Sequence, residues 1–93
     1  MKTIESLEEV KNLIGKRVKL YIPGEDEILI GNVSNVVRKK VEGASKKYAT
    51  RIILHDCYRI DKYGEVHARK KASVPYPYKG KLQYDICADK END

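Results

Sequence analysis

The first apolar residues of the chain share one side of a helical period: Ile4, Leu7, Val10, Leu13 and Ile14. Ser6 and Glu9 have the spacing of a capping box, in which the serine hydroxyl accepts from the Glu9 amide. Gly15 follows, where a left-handed residue commonly ends a helix. The pattern predicts an amphipathic helix over about residues 6–14. A helix this short is stable only when it packs on the rest of the chain.

From Arg17 onward the apolar period changes to two, which is typical of β-strands with one buried face. Turn residues such as Pro23 and Gly24 separate the alternating segments. Gly31 interrupts the second segment, and an interior glycine often marks a bend or a close backbone approach. Five strands are predicted, over residues 17–22, 28–37, 48–60, 65–74 and 82–87.

The segment from Arg38 to Tyr48 has no sustained period and carries five positive charges. We interpret it as an exposed basic insertion, either a loop or an extension of the hairpin. The polar tail over 89–93 is expected to fray. Ninety-three residues suit one domain, because two cores would each be too small. The sequence therefore predicts a mostly β domain, a strongly bent five-stranded SH3-like barrel over about 16–88 behind a short N-terminal helix.

Positive charge is concentrated in the middle of the chain. Residues 38–81 hold 13 basic and 4 acidic side chains, a balance of +9, although the whole chain has a net charge of only +5. An excess of this size predicts a positive face able to meet phosphate groups. An ordinary solvated surface is the alternative.

Several classes of function are not expected. No apolar run is long enough to cross a bilayer and no secretion signal is evident, so we expect a cytoplasmic protein. His55 and Asp56 are consecutive strand residues that point to opposite faces, so they form no catalytic dyad. We expect no enzyme activity, metal or cofactor. Cys57 and Cys87 lack metal-ligand spacing and are either small buried side chains or a disulfide pair between strands.

Short motifs resemble Sm and Sm-like proteins, including the archaeal ones, in the family's order. The junction Leu13–Leu20 (LIGKRVKL) is similar to the place where the family's helix runs into its first strand. Gly31 matches the glycine of the family's bent second strand. Ile52–Cys57 and Tyr58–Val66 are similar to the third strand and the turn after it. Tyr78–Gly80 with Leu82 and Ile86 resembles the second Sm motif.

The resemblance implies an open Sm-like barrel that associates edge to edge into a ring and binds single-stranded, often U-rich RNA at loops around a pore. By position, the family's basic "Arg-Gly" loop corresponds to Lys79–Gly80, where lysine lacks the planar fork of arginine. The family's Asp and Asn positions correspond to Val37 and Arg51, separated by the basic insertion. Base readout of the family's kind is therefore not expected here, whereas phosphate contact is favoured.

Aromatic side chains lie among the lysines of the two loops. All seven aromatic residues are tyrosines, which combine a stacking face with a polar tip. Tyr48, Tyr76 and Tyr78 flank lysines, although packing against the barrel is the alternative role for each. The predicted RNA-binding residues are Lys39, Lys40, Lys46, Lys47, Tyr48, Arg51, Tyr78, Lys79 and Gly80.

The leading hypothesis is an Sm-like protein that binds single-stranded RNA and forms a homo-oligomer through strand edges at about 65–78 and 82–87. Pro75 and Pro77 remove two backbone donors from one edge of the fourth strand. The first alternative is an SH3-like chromatin-type protein that covers duplex DNA with a basic face including Arg69 and Lys71. The second alternative is an assembly subunit that binds no nucleic acid.

Overall fold

The computed structural model describes residues 1–40, 48–77 and 81–87, with one short helix and six antiparallel strands. The strands lie in one unclosed sheet in the order β1-β6-β2-β3-β4-β5. The elements are β1 (Lys2–Thr3), α1 (Leu7–Lys11), β2 (Arg17–Ile22), β3 (Glu27–Lys40), β4 (Tyr48–Ile60), β5 (Val66–Tyr76) and β6 (Gln83–Ile86). The predicted mostly β class is confirmed.

Helix α1 begins at the predicted cap and ends earlier than predicted. Ser6 is the N-cap, and its Oγ accepts from the Glu9 amide at 3.2 Å. Glu9 Oε1 accepts from the amide of Glu5, one residue before the N-cap amide that a capping box uses. Beyond Lys11 the chain turns, because Gly15 at φ +90° donates its amide to the Val33 carbonyl of β3 at 2.8 Å.

The core lies between the helix and the concave side of the sheet. Val10, Val18 and Leu54 have no exposed surface at all, and Leu20 and Ile52 have almost none. A polar contact ties the helix to β6, because the Tyr84 hydroxyl donates to Glu9 Oε2 at 3.1 Å. Burial and this carboxylate raise the pKa of Tyr84. The helix is thus fixed by packing and by one buried hydroxyl, as its short length requires.

The sheet bends where β3 and β4 slip relative to each other. Their register shifts between Ile30 and Asn32, and again between Val33 and Asn35. At the first shift two residues of β4 lie opposite Gly31, and one of them, Asp56, has φ +53°. A Cβ atom on Gly31 would stand 2.9 Å from Cys57 Sγ and 3.2 Å from Leu54 Cβ. The close approach expected at Gly31 is present, and the register shift there is an irregularity of the kind that bends a strand.

The strand count and several boundaries differ from the sequence prediction. A sixth strand, β1, is only two residues long and pairs Lys2 with Tyr84 and Thr3 with Gln83, so no apolar period could reveal it. Strands β3 and β4 extend to Lys40 and Tyr48, so both ends of the segment predicted as a loop over 38–48 are paired strand. The hairpin extension therefore describes these ends better than the loop. Residues 41–47 lie outside the described residues.

Strand β5 continues through Pro75 to Tyr76, two residues beyond its predicted end. Pro75 lies opposite Arg51 and has no N–H, so this pair can only be a non-hydrogen-bonded one. The Pro75 nitrogen therefore faces away from β4, toward the edge of the sheet. The register is continuous from Thr50–Tyr76 to His55–Lys71, so the N–H groups of Ser73 and Lys71 face the same way.

We expect Gly31→Ala to lower the free energy of unfolding by about 1–3 kcal/mol, because the new methyl group overpacks the contact with Cys57. Urea denaturation measures the change.

The control is a double-mutant cycle with Cys57→Ala, which removes the sulfur nearest to the new methyl group. Part of the cost of Gly31→Ala should disappear in the Cys57→Ala background. An equal cost in both backgrounds would contradict the close approach.

Candidate functional site

The two segments predicted to contact RNA leave the sheet at the same end. The described pairing of β3 with β4 ends at the pair Lys40–Tyr48, and β5 ends at Tyr76, which lies opposite Thr50. We call this end, formed by residues 37–40, 48–51 and 75–77, the loop rim. It is the place from which both the basic insertion and the connection from β5 to β6 begin.

The nine predicted contact residues divide into three groups. Lys46, Lys47, Tyr78, Lys79 and Gly80 lie outside the described residues. The backbones of Lys39, Lys40 and Tyr48 belong to paired strands at the loop rim, while their side chains lie outside the description. Their roles in binding stay predictions.

Arg51 is the predicted contact residue whose side chain is described. It lies opposite Val37 on β3 and Pro75 on β5, so the positions matching the family's Asp and Asn are direct neighbours. Its Nε donates to Ser73 Oγ, and its Nη2 donates to the Ser73 carbonyl at 3.5 Å. The guanidinium is thus held against β5, on the half-exposed surface of the loop rim.

Tyr76 has a mainly structural role among the described residues. Its side chain is half-buried and packs against the hydrophobic core. The alternative that the sequence left open for these tyrosines, packing against the sheet, therefore applies to Tyr76.

The outer face of the sheet, turned away from the core, carries a second group of candidate side chains. Ile30 of β3 lies opposite Tyr58 of β4, and Tyr58 lies opposite Ala68 of β5. Leu29 and Cys57, next to them in the chain, are buried in the core, so Ile30, Tyr58 and Ala68 face outward. Tyr58 is 47% exposed.

Beside Tyr58 the outer face sinks into a depression of about 450 Å³. We call it the Tyr58 depression; it is lined by Arg17, Asp56, Cys57, Tyr58, Ala68, Arg69 and Lys70. Three of these residues are basic and one is acidic. Cys57 is almost completely buried, and this burial raises the pKa of its thiol, so the thiol adds no negative charge near neutral pH.

The bend in β4 holds one cation of the depression in place. Arg17 Nη1 donates to the Asp56 carbonyl at 3.1 Å and to Asn32 Oδ1 at 3.2 Å. The Asp56 carbonyl is available there because the left-handed conformation of Asp56 bulges the strand. The guanidinium therefore has a fixed orientation at the edge of the depression.

Sequence reasoning missed Arg17 and Tyr58 as functional candidates. Forty residues lie between them in the sequence, and Lys70 comes after both. Only the strand register brings them together, and that register depends on the bulge at Asp56. The basic run Arg69-Lys70-Lys71 was the one available signal.

A second concavity, of about 310 Å³, lies between β5 and the turn joining β2 to β3. Ile22, Leu29 and Val74 contribute apolar surface to it. Arg59, Arg69 and Lys71 face Glu25 and Glu27 across it, and Arg59 Nη1 lies 2.8 Å from Glu27 Oε1. Because the charges of both signs nearly balance, this concavity has less attraction for an anion than the Tyr58 depression.

Asp61, Glu65 and His67 each offer a ligand atom within 4.8 Å of the others. The described contacts of Asp61 all close the turn between β4 and β5. Its Oδ1 accepts from the amides of Tyr63 at 2.9 Å and Glu65 at 3.0 Å, and its Oδ2 lies 2.9 Å from His67 Nε2. We assign the group to turn stability.

Cys57 and Cys87 are both free thiols, the first buried and the second half-exposed. Among the described residues, no helix has the length and apolar content needed to cross a membrane.

Comparison with known proteins gave no relative: no family model, no curated protein and no solved structure matches this chain. The arguments for function therefore depend on the chain's own residues and on the motifs quoted above.

We expect acid to weaken the turn through Asp61. The hydrogen bond from His67, followed by those from the amides of Glu65 and Tyr63, holds the pKa of Asp61 below its ordinary value of 3.8. A lowered folded-state pKa stabilises the protein above the unfolded-state value, and the stabilisation is lost as pH falls through the folded-state value.

Urea denaturation between about pH 6 and pH 3 measures this loss. Asp61→Asn is the matched control, because it keeps an acceptor for the two amides and does not titrate. The stability of Asp61→Asn should decline less steeply below about pH 4 than that of the unchanged chain. Equal slopes would contradict the assignment.

Proposed function

We propose that this protein is a divergent Sm-like RNA-binding protein that holds single-stranded RNA at the loop rim. The observation that carries the proposal is the common end of the sheet from which both predicted contact segments begin. Arg51 lies between these segments, on the surface that an RNA strand reaching both of them would cross.

The bent sheet supports the Sm-like part of the proposal. A helix runs through Gly15 into β2, and β3 bends at Gly31, as the sequence motifs imply. Strand β6 returns to pair with β2, which brings the end of the sequence back beside its first long strand. We propose that this curvature belongs to an open Sm-like barrel.

The charge distribution supports phosphate contact as the main source of affinity. Residues 38–81 carry 13 basic and 4 acidic side chains. Val37 and Arg51 replace the carboxylate and amide that would read a base in the Sm family, so one position has lost its polar group and the other adds positive charge. We therefore propose binding with weak base preference and strong salt dependence.

The proposal includes self-association through the free edge of β5. This edge offers the outward N–H groups of Lys71 and Ser73, whereas Pro75 offers none. The opposite edge is covered, because β1 pairs with β6 at Gln83 and Tyr84. A closed ring that used both edges would require β1 to leave β6.

We expect binding to a single-stranded RNA oligonucleotide to weaken steeply as salt rises, and Arg51→Ala with Lys79→Ala to reduce both affinity and salt dependence. Loss of two phosphate contacts should lower the slope of log K against log salt by roughly 1.4, at about 0.7 per contact on a single strand. Fluorescence anisotropy across a salt series measures both quantities.

Lys2→Ala with Lys11→Ala is the control, because it removes the same net charge from exposed positions on β1 and α1. The control pair should change the slope by much less. Equal effects of the two pairs would contradict a site at the loop rim, and tighter binding to duplex DNA in a parallel titration would favour the chromatin-type alternative.

We expect native mass spectrometry to find a homo-oligomer that Lys71→Pro dissociates. The substitution removes one outward donor from β5 and leaves the hydrogen bonds to β4 intact. Circular dichroism should be unchanged. A monomeric unchanged chain, or an oligomer that survives Lys71→Pro, would contradict association through this edge.

A further inference from the structure

We propose that the Tyr58 depression is a second nucleic-acid site, which binds one nucleotide unit of a single strand, with the base on Tyr58 and the phosphate between Arg17 and Lys70. The proposal deepens the function proposed above and rests on it. It concerns a different face of the sheet from the loop rim.

The surface around Tyr58 suits a base. Ala68 is the cross-strand neighbour of Tyr58 on one side and is small, while Ile30 on the other side is apolar. In the next row Ile28, Ile60 and Val66 lie opposite one another on the same face, and Val66 is 61% exposed. An exposed aromatic ring among apolar neighbours on a sheet is a platform on which a base of any identity can stack.

The cations beside Tyr58 suit a phosphate. Arg17 Nη1 is held by Asn32 and by the Asp56 carbonyl, so the guanidinium loses little conformational freedom when it binds an anion. Lys70 comes from the free edge strand β5, where its side chain is exposed. Arg69 lies opposite the buried Cys57 and also lines the other concavity, so Lys70 is the cation that β5 contributes beside Tyr58. The aromatic platform and the cations line one depression. This arrangement complements a nucleotide, in which a base and a phosphate lie close together.

The electrostatic surroundings favour an anion there. Among the described residues Asp56 is the one carboxylate lining the depression, and its side chain is exposed to water. The other concavity has a smaller positive excess, because Glu25 and Glu27 line it and Glu27 is already paired with Arg59. The charge balance therefore selects the Tyr58 depression for a phosphate-bearing ligand.

The two surfaces are far enough apart to be tested separately. Arg51 at the loop rim and Tyr58 are seven residues apart on β4, which corresponds to roughly 23 Å of strand at about 3.3 Å per residue. A 5′-phosphorylated uridine dinucleotide has two bases and two phosphates, enough to fill the single nucleotide unit of the depression, and is too short to reach both surfaces.

Titration of the ¹⁵N-labelled full chain with this dinucleotide, followed by NMR, tests the proposal. Amide shifts should concentrate at residues 17, 56–58 and 68–70. Tyr58→Leu should weaken binding by roughly 5-fold or more, the lower limit for loss of one stacked base. Lys70→Gln should also weaken binding, because it removes a phosphate contact. Arg17→Lys should also weaken it, because lysine keeps the charge and loses the held fork.

The matched controls are Tyr63→Leu and Lys62→Gln, which change an exposed tyrosine and an exposed lysine in the turn between β4 and β5. Both should bind the dinucleotide as the unchanged chain does. Equal losses in the controls, or shifts spread evenly over the surface, would overturn the proposal.

The Arg51→Ala and Lys79→Ala variant separates this proposal from the function on which it rests. It should bind the dinucleotide normally while losing affinity for long RNA. Two results together would contradict the second site alone. They are unchanged affinity of Tyr58→Leu for long RNA, and no binding of the dinucleotide to the unchanged chain. Absence of binding of either probe at low salt would contradict both the second site and the proposed RNA-binding function.

Discussion

The close approach of Gly31 and Cys57 is the contact on which the rest of this structure depends. Strands β3 and β4 are 14 and 13 residues long, far more than the core of a small domain can cover. The slip in register at Gly31 lets β4 bulge at Asp56 and turns the sheet around its apolar side chains. Any side chain larger than hydrogen at position 31 would meet the Cys57 sulfur that fills this bend.

The same bend determines where charge is presented. At the bulge, the Asp56 carbonyl turns toward Arg17 and fixes the guanidinium beside Tyr58. At its other end β4 begins at the loop rim, where Arg51 lies against Ser73. One strand thus carries an arginine-lined surface at each of two places, and each arginine is oriented by a contact with a neighbouring backbone or hydroxyl group.

The sequence predicted those features that depend on local chemistry. Ser6 and Glu9 cap the helix because both partners lie within one turn, and Gly31 was recognisable because glycine is costly inside a strand unless space demands it. Strand β1 escaped prediction, since two residues have no period. The pairing of Arg17 with Asn32 and Asp56 escaped it as well, because a bulge moves every later cross-strand neighbour by one position.

The two free thiols make local opening of the bend measurable by chemical labelling. Cys87 is half-exposed, whereas Cys57 is almost fully enclosed beneath Gly31. An alkylating reagent can reach Cys87 in the native state, but it reaches Cys57 only during local opening of the sheet. The labelling rate of Cys57 relative to Cys87 therefore measures how often the sheet opens locally at this bend. Ligands that bridge β2, β4 and β5 should slow the labelling of Cys57.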